Sequence, residues 1–221
     1  MLQGVVDDLL TALLPGRCPG CGRRAEPVCA RCVAAMRAAP PAAPPPGVAW
    51  STAAFAYEGV ARELVARVKY RNERISVRWL GARLAERCID APFSIDTVTW
   101  VPASASRRAA RGVDHGALLA RVVAAGIGRN AKQLLTRDNG PPQTGRAAAE
   151  RRAGPGLFPV GSIAEENVLV VDDVATTGAT LTAAARALHA LGAREVLTAT
   201  VARTPRPGEH ARSALYTPGT G

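Results

Sequence analysis

The chain has 221 residues, a formal net charge of +10, and 48% hydrophobic but only 4% aromatic residues. That length allows one domain of ordinary size plus an appendage, with a core built from Ala, Val and Leu. The scarcity of rings removes most of the stacking platforms that unpaired bases would need. No apolar run approaches the ~20 residues of a membrane-spanning helix.

The positive charge suits polyanionic partners such as nucleic acids, acidic membranes or phosphorylated metabolites. Only Lys69 and Lys132 are lysines, and Arg with abundant Ala is also the mark of GC-rich coding, so charge alone names no partner.

The first residues, Met1 to Pro15, read as a short amphipathic helix stopped by Pro15-Gly16. Asp7 and Asp8 stand where a signal peptide would carry cations, which predicts a cytoplasmic location. In a reducing compartment, paired cysteines point to metal before disulfide. Cys18-x2-Cys21 and Cys29-x2-Cys32 form two such knuckles, and four thiolates close a tetrahedral structural zinc site with no open position. Free thiols or a redox pair are the alternative. Cys88, alone on a helix, reads as a small buried residue.

The run APPAAPPPG, Ala39 to Gly47, is a semi-rigid spacer. It divides the chain into an N-terminal helix and cysteine module over 1–38, a linker over 39–47, and an α/β domain over 48–221. In that domain the pattern predicts a strand over 50–59, helices over 60–72 and 76–88 with Ser76 as a cap, a strand over 96–102 and a helix over 117–126. A continuous apolar strand over 167–173, a helix over 179–192 and a strand over 194–203 follow. Strand, helix, strand at these spacings implies right-handed crossovers and a parallel sheet covered on both faces.

The stretch VLVVDDVATTGATL, Val168 to Leu181, carries the chemistry. Ligands of open α/β sheets bind outside the carboxyl ends of the strands, where Asp172 and Asp173 fall. Gly178 lets the backbone approach an anion, the helix start offers N–H groups, and Thr176, Thr177 and Thr180 add hydroxyls. Two acids beside a phosphate cradle need another task, such as accepting hydrogen bonds from vicinal hydroxyls or supporting Mg2+. A ribose 5-phosphate satisfies these demands. A solvated acid pair with Thr caps is the plainer alternative.

This stretch resembles the ribose-phosphate loop of the type I phosphoribosyltransferases. The resemblance implies that Asp172 and Asp173 hold the ribose hydroxyls of phosphoribosyl pyrophosphate, that Ala175, Thr176, Thr177, Gly178, Ala179 and Thr180 wrap its 5-phosphate, and that Mg2+ sits on the pyrophosphate. With the cysteine knuckles ahead of it, nearly the whole chain resembles the ComF/GntX family, bacterial proteins linked to competence and DNA uptake. The resemblance also rests on YEGVARELVARVKY (Tyr57 to Tyr70), VPASASRRAARG (Val101 to Gly112) and PPQTGRAAAERR (Pro141 to Arg152). It implies a pyrophosphate grip by Arg107, Arg108 and Arg111, which can equally be a solvated basic turn, and a mobile loop carrying Gln143 and Arg151. Ser104, Val113, Asp114, His115, Gly140, Arg146 and Gly154 depart from the family pattern, so donor binding is better supported than turnover. His115 reads as a cap or surface residue before a proton donor, and Lys69 as a ligand contact or a helix-end dipole partner.

Two rival readings stay open. One is a non-catalytic adaptor that binds single-stranded DNA or competence proteins through the basic stretch Arg62 to Arg87; the other is a nucleotide-sensing regulator. Nothing in the sequence names an acceptor base.

Overall fold

The computed structural model describes residues 17–25, 27–71, 74–104, 114–137, 156–205 and 209. The helix expected over 1–15, the arginines Arg107, Arg108 and Arg111, and the loop residues Gln143 and Arg151 lie outside the described residues, as does the Lys69 side chain. The elements are α1 (Ala30–Ala34), β1 (Trp50–Ala56), α2 (Gly59–Arg71), α3 (Arg74–Ile89), β2 (Thr97–Trp100) and α4 (His115–Gly126). They continue with β3 (Asn130–Ala131), β4 (Leu135–Arg137), β5 (Leu157–Pro159), β6 (Asn167–Ala175), α5 (Ala179–Ala190) and β7 (Glu195–Arg203).

Five strands form one sheet in the order β1-β7-β6-β2-β3, every pairing parallel. Strand β6 shows why its sequence is apolar without interruption: alternate side chains leave opposite faces, and both faces are covered. Val168 and Val170 pack with Leu181 and Leu188 of α5. Leu169 and Val171 pack on the other side with Leu84 of α3 and Leu119 and Val123 of α4. Helix α3 crosses α4 closely enough that a Cβ on Gly81 would lie 2.6 Å from Val122 Cγ1, and one on Gly126 2.6 Å from Ala85 Cβ.

Three short strands were not expected. β3 adds an edge to the main sheet, and β4 pairs antiparallel with β5; strands of two or three residues are too short to show a period. Helix α3 begins at Arg74, so Ser76 is an interior residue, 1% exposed, and not the cap. Helix α4 begins at His115 rather than Ala117, because Asp114 caps it, its Oδ1 accepting from the Gly116 and Ala117 amides at 3.0 and 3.3 Å.

The proline-rich segment lies against the domain. Arg203 Nη2 donates to the Pro40 carbonyl at 2.8 Å, the Ala39 amide donates to the Ala54 carbonyl at 3.3 Å, and His189 Nε2 is 2.9 Å from the Gly47 carbonyl oxygen. Upstream, Cys18, Cys32 and Met36 join the same apolar cluster as Ala61 and Leu64 of α2. Among the described residues no helix is long and apolar enough to cross a membrane.

Candidate functional site

β6 carries its two acids to the carboxyl edge of the sheet. Asp172 pairs with Thr200 in β7, and the strand runs on through Val174 and Ala175 because β7 continues opposite them to Arg203. Ala175 is therefore a strand residue, its carbonyl taking the Thr204 amide at 2.9 Å. The turn proper is Thr176 to Gly178. Gly178 is the N-cap of α5 at φ 80°, ψ −2°, a left-handed conformation that glycine adopts without a Cβ penalty. Thr177 Oγ1 accepts from the Ala179 amide at 3.3 Å, so this hydroxyl serves the helix end. Both acids are partly buried, and Asp172 Oδ1 accepts from the Asp173 amide at 2.8 Å.

Asp172, Asp173 and Thr180 line one cleft of about 670 Å³. Its rim takes Pro102 and Ala103 from the loop after β2, Asp114 and His115 from the start of α4, and Arg137 from β4. Val65 and Val68 of α2 and Val77 and Leu80 of α3 give it an aliphatic lining. The half-polar, half-apolar lining and the size suit a phosphorylated sugar with a less polar group beside it. His115 is neither cap nor surface residue: it is 9% exposed and faces the cleft as the first helical residue. Asp114 also accepts from Trp100 Nε1 at 3.3 Å, which ties the helix start to the end of β2.

Arg137 and Asp114 were not singled out from sequence as cleft residues. Arg137 sits on a three-residue strand, and only tertiary pairing brings it to the cleft that the acids line. For Asp114 the signal was available, an Asp ahead of an apolar-periodic run.

The four cysteines come together as their spacing predicts. Their sulfurs all lie within 4.8 Å of one another, and Cys21 Sγ is 3.6 Å from Cys29 Sγ. Tetrahedral zinc with Zn–S near 2.3 Å puts sulfurs roughly 3.8 Å apart, so the cluster fits that ion. The electrostatics agree. Burial raises the Cys18 thiol, but hydrogen bonds from the Cys29, Cys21 and Gly20 backbone and the Cys29 thiol outweigh it and hold it at about 6; the Cys29 amide is 3.4 Å from Cys18 Sγ. Burial, the neighbouring thiols and the Cys18 charge push Cys32 far above the ordinary thiol range. One thiolate thus opposes the next until a cation joins them. Cys88, apart from the cluster, is 3% exposed and pushed by burial up to about 12, with Arg87 opposing.

Residues 117–217, just under half of the chain, match the family model described as phosphoribosyl transferase domain. No curated protein is matched. Similar solved structures include glutamine phosphoribosylpyrophosphate amidotransferase from B. subtilis, 25% identical over 56% of this chain and 25% of that one, TM-score 0.42. Others are purine phosphoribosyltransferase from Pyrococcus horikoshii Ot3, 22% over 58% and 83%, TM-score 0.38, and adenine phosphoribosyltransferase from Saccharomyces cerevisiae, 19% over 66% and 70%, TM-score 0.36. This chain spans a quarter of the amidotransferase's length. The domain match and the parallel sheet flanked by helices together make the fold of the phosphoribosyltransferase type, with a cysteine cluster suited to zinc ahead of it.

Proposed function

We propose that the cleft binds phosphoribosyl pyrophosphate, or a related ribose 5-phosphate, and passes the 5-phosphoribosyl group to a nitrogen nucleophile. The observation that carries this reading is convergence: Asp172, Asp173, Thr180 and Arg137 come from three elements and meet in one cleft at the carboxyl edge of the sheet.

In this reading the acids accept hydrogen bonds from the ribose 2- and 3-hydroxyls, and the backbone of residues 175–180 takes the 5-phosphate at the start of α5. Arg137, with Arg107, Arg108 and Arg111, supplies guanidinium groups to the pyrophosphate. As the bond from C1 to pyrophosphate breaks, positive charge develops on the ribose and is met by the nearby carboxylates. Pyrophosphate leaves with the bonding pair, the nitrogen bonds to C1, and its proton passes to the departing pyrophosphate or to solvent. The loop bearing Gln143 and Arg151 closes over the donor to exclude water. Asp172 and Asp173 are hard oxygen donors, a chemistry suited to Mg2+, which on the departing pyrophosphate would neutralise its charge.

The zinc module is structural in this proposal, and kinship with the ComF proteins, with a part in DNA uptake, belongs to it too. The similarity of residues 117–217 to phosphoribosyl transferase domains supports the donor side. Calorimetric titration of phosphoribosyl pyrophosphate with Mg2+ into wild type and an Asp172→Asn, Asp173→Asn protein tests it. Saturable wild-type binding should weaken about a hundredfold or more in the variant, two charged hydrogen-bond acceptors each contributing about 1.5–3 kcal/mol. Absence of binding by folded, zinc-loaded wild type would overturn the reading. Bases that then release pyrophosphate would identify the acceptor.

A further inference from the structure

Pro45 of the linker lies beside Gly178 of the phosphate turn, in the space a side chain there would occupy. A Cβ built on Gly178 would lie 3.2 Å from Pro45 Cγ and 3.5 Å from Pro45 Cβ. Gly178 is the point at which the turn becomes helix α5, and it has no side-chain cap. Thr176 and Thr177 beside it are exposed. Within the turn the Thr177 hydroxyl ties to the Ala179 amide at 3.3 Å, and the linker lies beside Gly178 as a support from outside it.

The linker is fixed on both sides of that contact. Upstream, the Pro40 carbonyl is held by Arg203, the residue that pairs with Ala175 at the end of β6. Downstream, the Pro45 carbonyl accepts from the Val48 amide at 3.1 Å, closing a turn whose Gly47 carbonyl meets His189 on α5. Val48 is buried in the apolar cluster beneath α5, and the Ala49 amide bonds the Val196 carbonyl at 2.8 Å. Proline fixes its own φ near −65° and restrains its predecessor, so Pro44-Pro45-Pro46 crosses between these anchors as a stiff segment. Its anchors are β7, the strand paired with β6 where β6 enters the turn, and α5, the helix that leaves it.

We infer that Pro45 is a positioning residue for the phosphate turn: the linker is a brace that holds Gly178, and with it the N–H groups at the start of α5, in the conformation that receives an anion. The inference deepens the proposed function and rests on it for the identity of the anion. The brace itself is a mechanical contact that can be read without ligand. Binding to a turn already in place avoids the ordering cost that a loose turn must meet on association.

Full-length, zinc-loaded protein is compared as wild type, Pro45→Gly, Pro45→Val and Pro44→Gly. Pro44 is exposed, so its replacement reproduces the gain in linker freedom without removing the contact, and Val restores the Cβ and Cγ atoms that Pro45 presents. Amide exchange read by mass spectrometry over residues 176–181 should quicken in Pro45→Gly. It should stay near wild type in Pro44→Gly and Pro45→Val, and the thermal midpoint should fall by the same small amount in Pro44→Gly and Pro45→Gly. Affinity for ribose 5-phosphate should follow, falling roughly fivefold in Pro45→Gly. Equal exchange over 176–181 in Pro45→Gly and wild type would overturn the brace, as would Pro44→Gly behaving like Pro45→Gly. If wild type binds no ribose 5-phosphate while exchange still quickens only in Pro45→Gly, the brace stands and the proposed ligand falls.

Discussion

The two candidate ligand sites are built on opposite plans. All four cysteines lie within fifteen residues, Cys18 to Cys32, and their sulfurs already converge. The cleft draws on residues from Val65 to Val201 and on both sides of the sheet edge. A local site depends on its ligand to hold it together, whereas a dispersed site depends on the fold. The first should fail when metal is lost and the second when packing is disturbed.

Cys21→Ser should give the largest effect, because it separates metal from packing. Cys21 is the exposed member of the cluster, so the substitution removes almost no buried surface, and any loss of stability reports the ion. Structural zinc contributes on the order of 10 kcal/mol to small modules. Zinc content measured by elemental analysis should fall well below one per chain, and the thermal transition should move down by more than ten degrees or split. A full complement of zinc in the variant would mean that three thiolates suffice. Cys18, Cys32 and Met36 share a cluster with Ala61 and Leu64 of α2, and α2 also supplies Val65 and Val68 to the cleft. Loss of metal should therefore be felt at the cleft wall as well.

Gly81→Ala sharpens the other half of the comparison. Its Cβ would fall 2.6 and 2.8 Å from Val122 Cγ1 and Cβ, contacts too short to persist, so α3 and α4 must move apart. Overpacking of this kind costs about 1–3 kcal/mol. The same helices present Leu80 and Leu119 to the cleft, so ligand affinity should drop while zinc content stays at the wild-type level. Val122→Ala removes the Cγ1 contact but keeps the Cβ at 2.8 Å, so it should relieve the clash in part, and the double-mutant cycle in chemical denaturation should show coupling of the relieving sign but smaller than the whole cost. Additive losses would place the strain elsewhere.

What could be read in advance follows the same division. The cysteine spacing, the apolar run of β6, the glycine-terminated α5 and the strand β7 are local patterns, and the structure reproduces their positions to within two residues at each boundary. Asp172, Asp173 and Thr180, read from sequence as ribose and phosphate contacts, line one cleft at the strand end where ligands of parallel sheets bind. Arg137 was missed because three residues carry no period. His115 was read as a cap or surface residue because nothing local reveals that tertiary packing buries it at the cleft. The linker's bonds to Arg203 and His189 join residues more than 140 positions apart, and proline content alone describes stiffness without saying what lies beneath.

The smallest predicted effect distinguishes two neighbouring threonines. Thr177 Oγ1 accepts from the Ala179 amide, while Thr180 lines the cleft. Thr177→Ala should behave as loss of a helix cap, costing roughly 0.5–1 kcal/mol of stability with at most a comparable loss of affinity. Thr180→Val keeps the shape and removes the hydroxyl, so it should leave the thermal midpoint nearly unchanged and weaken ribose 5-phosphate binding by about 1 kcal/mol, the net worth of a typical hydrogen bond. Calorimetric titration alongside thermal unfolding separates the two. Were Thr177→Ala to lose affinity heavily with stability intact, its hydroxyl would leave the helix end to meet the phosphate, and the cap seen at 3.3 Å would be the resting position of a ligand group.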